Sequence, residues 1–401
     1  MKTKDILFSQ VVKENHENLV ELKEKLKRDH ENWMMCLGAG VSISVGLPNW
    51  YKLLAKISAR IFPPAGHGMR PGSPKSKAYY EGVEEFYETL SDNKYSKDFW
   101  NKLADAYEGK YVNTFSGINV LEAAEYVRNS LYSALGEHPE NGGNARKRVD
   151  SQMNFLIQQA CSIDIKVDKA NVELQKTTLA AVANLMKSKK DQLIHNVITY
   201  NYDNLLETYL RNICDCPPEK VHSIIKKDPL GDFGSDTEWN IYHVHGRIPV
   251  VPYAGEEMSD NVMLTESDYY QEEQINYSWT NILQSYAILR ANLIFIGFSG
   301  TDYNFRRIIK YVNQENSISQ VRYIFFSVDD IVRAVFEREI KEGTDLKACI
   351  EGMDKGDSKY AFEKFFINYL IHAQTVYWEQ HGLRVIWSSH EDIYRDLESI
   401  H

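Results

Sequence analysis

The chain has no apolar run near the roughly 20 residues that a bilayer-crossing helix needs, and its opening, MKTKDILFSQVVKENHENL, is too polar for a secretory leader. A cytoplasmic protein with no membrane partner is expected. Its five cysteines, Cys36, Cys161, Cys214, Cys216 and Cys349, are odd in number and lack C-x-x-C spacing, which argues against a disulfide framework and against structural zinc. Cys214-Asp215-Cys216 runs into Pro217-Pro218 and reads as a loop rather than half of a metal site. Positive charge is in deficit: 46 Lys and Arg against 56 Asp and Glu leave a net charge of -10, so direct nucleic-acid binding is not expected. The dinucleotide fingerprint G-x-G-x-x-G is missing, and no strand signal of any strength appears between about residues 78 and 190.

What is present is enough for a large core, with 43% hydrophobic residues in 401, and the length suits two compact units or one fold with a sizeable insertion. The organising stretch is WMMCLGAGVSISVGLPNW, residues 33–50. An apolar run, Trp33 to Leu37, meets Gly38, Ala39, Gly40 and Ser42, and Gly46 follows. A buried strand that ends in a tight small-residue turn leaves backbone N–H groups able to face a pyrophosphate, since no side chain blocks the approach. A flexible turn is the plainer reading of the same glycines. Pro48-Asn49 then starts a helix carrying Trp50, Leu53, Leu54, Ile57 and Ile61 at helical spacing.

Residues 1–32 form an amphipathic helix in pattern, and Pro63 to Pro74 is a Pro/Gly loop that marks a boundary. Helical patterns follow near 79–91, 96–108, 119–135, 148–162 and 170–188, giving a helical insertion over 63–189 whose aromatics, Phe86, Tyr87, Phe99, Trp100 and Tyr126 among them, belong in its core. Strand signals return at 193–199, 221–225, 241–245, 292–297, 321–327 and 383–387, alternating with helices near 276–290, 302–314, 329–341, 360–380 and 391–400. That alternation predicts an α/β fold with a mostly parallel, doubly wound sheet spanning 33–62 and 190–401. Three strand ends carry polar punctuation: Thr199-Tyr200-Asn201-Tyr202-Asp203, His243-Val244-His245-Gly246, and Gly297-Phe298-Ser299-Gly300-Thr301-Asp302. Carboxyl ends of parallel strands are where open α/β sheets bind ligands. Asn201 is equally a turn residue by type, His243 a satisfied core or supporting histidine, and Asp302 either a helix cap or an acceptor for ribose hydroxyls.

Together, Gly38-Ala39-Gly40-Val41-Ser42 with Gly46-Leu47-Pro48, the Thr199 to Asp203 block, His245-Gly246 and Gly297-Phe298-Ser299-x-x-Asp302 resemble the sirtuin family, and most closely its NAD hydrolases of bacterial antiphage systems. The resemblance covers about 33–60 and 190–400 and implies a sirtuin-type Rossmann-like fold. It also implies NAD as substrate, cleaved to nicotinamide and ADP-ribose, so that cellular NAD is depleted in antiphage defence. Asn201 would orient the ribose and a water, and His245 would act as base on a ribose hydroxyl or the water. NAD contacts would come from Gly38, Ala39, Gly40, Ser42, Gly46, Asn49, Thr199, Asp203, Gly297, Ser299 and Asp302. The zinc ribbon of the protein deacylases is absent, since only Cys349 follows His245, and the family's P-D-F-R is replaced by Pro48-Asn49-Trp50-Tyr51. No metal is expected. A deacylase or ADP-ribosyltransferase acting on a protein acceptor and a non-catalytic NAD or ADP-ribose sensor are the alternatives. The resemblance further implies a homo-oligomer with a separately encoded partner, a HerA-type ATPase or a short Argonaute. Separately, the Pro/Gly loop at 63–74 is expected to cover or gate the pocket, since long loops without regular structure in compact domains are often lids.

Overall fold

A computed structural model describes residues 9–28, 32–61, 118–161, 167–187, 194–225, 238–251, 259, 262–275, 278–315, 320–337 and 361–400. The expected helices at 79–91 and 96–108, the 63–74 loop, Cys349 and both proposed edges of the helical insertion lie outside these residues.

Seven strands form one sheet in the order β3-β4-β2-β1-β5-β6-β7, with β1 at Trp33–Leu37, β2 at Asn196–Thr199, β3 at Val221–Ile224, β4 at Trp239–His243, β5 at Asn292–Ile296, β6 at Arg322–Ser327 and β7 at Arg384–Ser388. Every strand pairing is parallel. The apolar strands read as runs rather than alternations because both faces are covered: β1, β2, β5 and β6 are buried at every position. From β1 the chain goes to β2 on one side and later to β5 on the other, so the strand order reverses at β1. A crevice must open there at the carboxyl ends.

One face is covered by α3 (Trp50–Ile61), α4 (Val120–Ala134), α5 (Gly143–Cys161), α6 (Thr178–Met186), α7 (Leu205–Asn212) and α13 (His390–Glu398), whose apolar residues form one continuous core with Met35, Leu37, Val197 and Ile241. The other is covered by α9 (Trp279–Arg290), α10 (Tyr303–Glu315), α11 (Val328–Glu337) and α12 (Ala361–Gln380), packed on Met34, Cys36, Phe295 and Ile324. α1 (Ser9–Arg28) closes the β7 edge. Its Asn15 side chain donates to the Trp387 carbonyl at 2.7 Å and accepts the Trp387 N–H at 3.0 Å, and Asn18 donates to the Val385 carbonyl at 2.9 Å. The two amides take the place of a neighbouring strand on an edge that would otherwise be open for pairing.

Three sequence expectations change. The helix expected over 170–188 is shorter, Thr178–Met186 after a single 3-10 turn, because the Thr177 hydroxyl accepts the Ala180 N–H and starts the helix there. A helix absent from the sequence reading, α8 (Glu266–Gln274), has no apolar period and is fixed instead by a capping box between Thr265 and Asp268. The glycine turn is itself a short helix, α2 (Ala39–Ile43), ahead of α3.

Candidate functional site

Four strand ends meet at the switch point, and the glycines explain how two of them fit. The Gly38 N–H donates to the Ile296 carbonyl at 3.0 Å and the Gly40 N–H to the Gly297 carbonyl at 2.8 Å, so the loops after β1 and β5 lie backbone against backbone. A Cβ at Gly38 would stand 2.5 Å from the Gly297 oxygen, one at Gly40 2.7 Å from the Gly297 Cα, and one at Gly297, whose φ is +63°, 2.5 Å from the Val41 nitrogen. This corrects the reason given for the glycines: the N–H groups of Gly38 and Gly40 are used inside the protein, and the missing side chains are required by loop contact.

The β2 end joins this contact through side chains. Asn201 Nδ2 donates to the Gly38 carbonyl at 2.9 Å and to Ser42 Oγ at 3.0 Å, and Ser42 Oγ donates to Asp203 Oδ2 at 2.6 Å. Thr199 Oγ1 accepts the Asn201 N–H at 3.1 Å, and Asp203 Oδ1 accepts the Leu205 N–H at 3.2 Å at the start of α7. Both donor hydrogens of the Asn201 amide are therefore used, which orients Oδ1 as an acceptor for a hydroxyl or a water. Burial pushes the Asp203 carboxyl above its ordinary range, against the opposing Ser42 and Leu205 hydrogen bonds. Ala39, Ser42, Asn201 and Asp203 line one pocket with Pro48 and Trp50 from the start of α3, Tyr202, Ile157 and Cys161 from α5, and Ile248 and Val250. The helices between β1 and β2 thus supply part of its wall.

Beneath Asn201 lies a buried polar cluster. His243 Nδ1 is 3.2 Å from the Asn201 carbonyl oxygen, and its Nε2 is 2.7 Å from Glu207 Oε1. The same Oε1 accepts the Ser223 hydroxyl at 2.5 Å and lies 3.7 Å from Arg247 Nε. Burial alone would raise the Glu207 carboxyl, but the facing His243, Arg247 and Ser223 hold it well below the ordinary glutamate range. His243 is thus a supporting residue that ties the Asn201 backbone to an ion-paired core. Sequence reading missed Glu207 and Arg247, both buried; the signal available was an acid directly after the apolar pair Leu205-Leu206 and an arginine directly after His245-Gly246.

His245 follows β4 and is 3% exposed. Its ring packs edge-on against Tyr200 at 5.0 Å and Tyr269 at 5.7 Å. Desolvation pulls its pKa below the ordinary imidazole value, opposed by the charges of Asp302 and Glu272 and a hydrogen bond to the Tyr200 backbone. Asp302 caps α10, its Oδ1 accepting the Phe305 N–H at 2.7 Å, while Oδ2 accepts the Tyr269 hydroxyl at 2.7 Å. Both of its oxygens therefore have protein donors. Neither His245 nor Asp302 lines the Asn201 pocket, nor do Gly38, Gly40, Thr199 and Gly297, and the remaining candidates also sit apart from its wall. Asn49 is exposed and accepts the Lys52 N–H at 3.0 Å as a helix cap, Gly46 takes φ +95° in the turn after α2, and Ser299 is exposed with its hydroxyl 2.7 Å from that of Thr301. Among the described residues no group of three or more His, Cys, Asp or Glu could hold a metal, and no helix is long and apolar enough to cross a membrane.

An all-parallel sheet covered by helices on both faces, with its strand order reversing at β1, defines an α/β Rossmann-like fold. Residues 195–347 match the family model described as SIR2-like domain, and the chain carries such a domain. The match takes in the Asn201, His245 and Asp302 loops, and β1 with its glycine turn pairs directly onto it. No curated protein matches the sequence. A SIR2-like domain implies NAD use, and the Asn201 oxygen and the His245 Nε2, neither with a donor among the described residues, are acceptor types that suit hydroxyl groups such as those of a ribose.

Proposed function

We propose that the protein is an NAD hydrolase that cleaves the nicotinamide–ribose bond with water, releasing nicotinamide and ADP-ribose, and that it serves antiphage defence by draining NAD. The observation that carries this reading is the Asn201 amide, with both N–H donors spent on Gly38 and Ser42 and its oxygen left to accept from a ribose hydroxyl or water at the pocket wall. Positive charge develops on the sugar as the bond breaks, and an amide orients the sugar and the nucleophile without adding charge. His245, kept neutral near pH 7 by burial, serves as the base. The Trp50 and Tyr202 rings, the apolar wall and the polar Asp203 end suit a flat amide-bearing ring such as nicotinamide. The domain match supports the NAD part of this reading. A homo-oligomer activated by a separately encoded HerA-type ATPase or short Argonaute is part of the same proposal.

Incubation of the purified chain, with and without such a partner, with NAD and chromatography of the products tests it. Free ADP-ribose and nicotinamide in equal amounts, lost in Asn201→Ala and His245→Ala, are expected. Modified protein acceptor in place of free ADP-ribose would replace the hydrolase by a transferase, and binding without turnover in every combination would make the domain a sensor.

A further inference from the structure

The environment of His245 has a feature that a lone base does not need. Tyr200 spends its N–H on the Leu37 carbonyl at 2.9 Å, so the hydrogen bond that favours the protonated His245 ring runs from an imidazole N–H to the Tyr200 carbonyl. The other nitrogen, Nε2, is buried and has no hydrogen-bond partner among the described residues. Asp302 Oδ2 stands 3.3 Å from it, close enough for an ion pair but off the line of a hydrogen bond. The Nε2 position is thereby left without a partner among the described residues, and a carboxylate stands beside it.

That carboxylate is held at both oxygens. The N-terminal turn of α10 binds Oδ1, the Tyr269 hydroxyl binds Oδ2, and the Tyr269 ring packs on His245 itself. Tyr269 in turn sits on α8, which is locked to the helices before β2 by Arg128: its guanidinium donates to Asp268 Oδ1 and Oδ2 at 2.7 and 2.8 Å and to Thr265 Oγ1 at 2.8 Å. Such fixed dipoles and charges act without reorganising when charge appears next to them.

We propose that Asp302 is a positioning residue for His245, a fixed counter-charge that stabilises the imidazolium formed when Nε2 takes a proton from the attacking water or a ribose hydroxyl, with Tyr269 holding the carboxylate at that distance. The inference rests on the hydrolase reading for its catalytic consequence. In the balance of the step, the O–H bond of the nucleophile breaks, its proton forms the Nε2–H bond, the oxygen's electron pair goes to the sugar carbon as nicotinamide leaves neutral, and the proton passes to solvent. An opposite charge within about 4–6 Å favours the charged form of an ionisable group. The other ionisable groups that face His245 are Glu272 and Tyr269 on α8 and Tyr200 after β2. The Glu272 carboxylate accepts the hydroxyls of Ser278 and Thr280, and neither bond involves Asp302.

The test is Asp302→Asn, which keeps an N-cap oxygen for Phe305 and removes the charge, with Asp302→Ser as a second capping variant should the first fail to fold. The His245 imidazole is followed by NMR with carbon-13-labelled histidine, assigned through His245→Gln, in the full chain without NAD. His245 should titrate at lower pH in the variant than in the parent protein; superimposed titration curves would overturn the proposal whatever the substrate proves to be. In NAD turnover, kcat should fall on the order of tenfold or more with KM nearly unchanged, since a group acting only through the base stabilises only the charge-bearing stages. Loss of turnover in His245→Gln with full kcat and an unchanged pH profile in Asp302→Asn would sink the counter-charge while leaving the hydrolase standing. No NAD cleavage by the parent protein would remove the hydrolase reading and leave the NMR titration to decide the pairing.

Discussion

Glu207→Gln is the change with the largest consequence worked from this structure. The Glu207 side chain is 1% exposed and takes His243 Nε2 at 2.7 Å and Ser223 Oγ at 2.5 Å, with Arg247 Nε at 3.7 Å. Glutamine keeps the shape and an acceptor but removes the negative charge that offsets a guanidinium only 2% exposed. Removing one partner of a buried charge pair destabilises by about 3–5 kcal/mol, because the remaining charge stays desolvated. With a melting entropy of about 2.1 cal/mol/K per residue over 401 residues, that corresponds to a melting temperature lower by about 4–6 °C. The native Glu207 carboxyl lies below its unfolded value, so its contribution is full above the ordinary glutamate range and is lost as pH falls through the depressed native value. Urea unfolding at pH 7 and again at a series of lower pH values is the assay. The gap between parent and variant should be widest near neutrality and close on acidification, and adding His243→Gln to Glu207→Gln should cost less than the sum of the two, since they share one interaction. A variant within 0.5 kcal/mol of the parent, by the usual scatter of about that size for surface changes, or a gap that does not depend on pH, would refute the reasoning.

Gly297→Ala should lower stability by about 1–2 kcal/mol for the left-handed backbone and about 1–3 kcal/mol more for the contact with Val41, and weaken NAD binding by parting the two loops, as read by thermal melts and calorimetric titration. The acid limb of NAD turnover should fall below the ordinary histidine range, because the buried His245 ring stays neutral to lower pH and activity is lost only as pH drops through that depressed value; a limb above that range would count against His245 as the base. Exhaustive chelation should leave turnover and melting temperature unchanged, and stoichiometric zinc in elemental analysis would contradict this.

The sheet was legible because fully buried parallel strands are written as apolar runs, and residues 292–296 and 322–327 contain little else. Polar punctuation after such runs pointed to the carboxyl ends, which is why Asn201, Asp203 and His245 stood out before any geometry was known. α8 was not legible, because its sequence ESDYYQEEQ has no apolar period and its start depends on Thr265 and Asp268 bonding each other and Arg128, 137 residues away from Thr265. Nor could spacing show that Gly40 serves Gly297, that the Asn201 amide is turned by Gly38 and Ser42, or that Asp302 caps a helix and faces His245 at once. The sequence by itself determined the strands, the glycines and the residue types at each strand end, since these follow from local pattern and side-chain chemistry. Only the tertiary structure decided which strand ends meet, because the reversal of strand order at β1 is a property of the assembled sheet and brings together loops more than 250 residues apart in the chain.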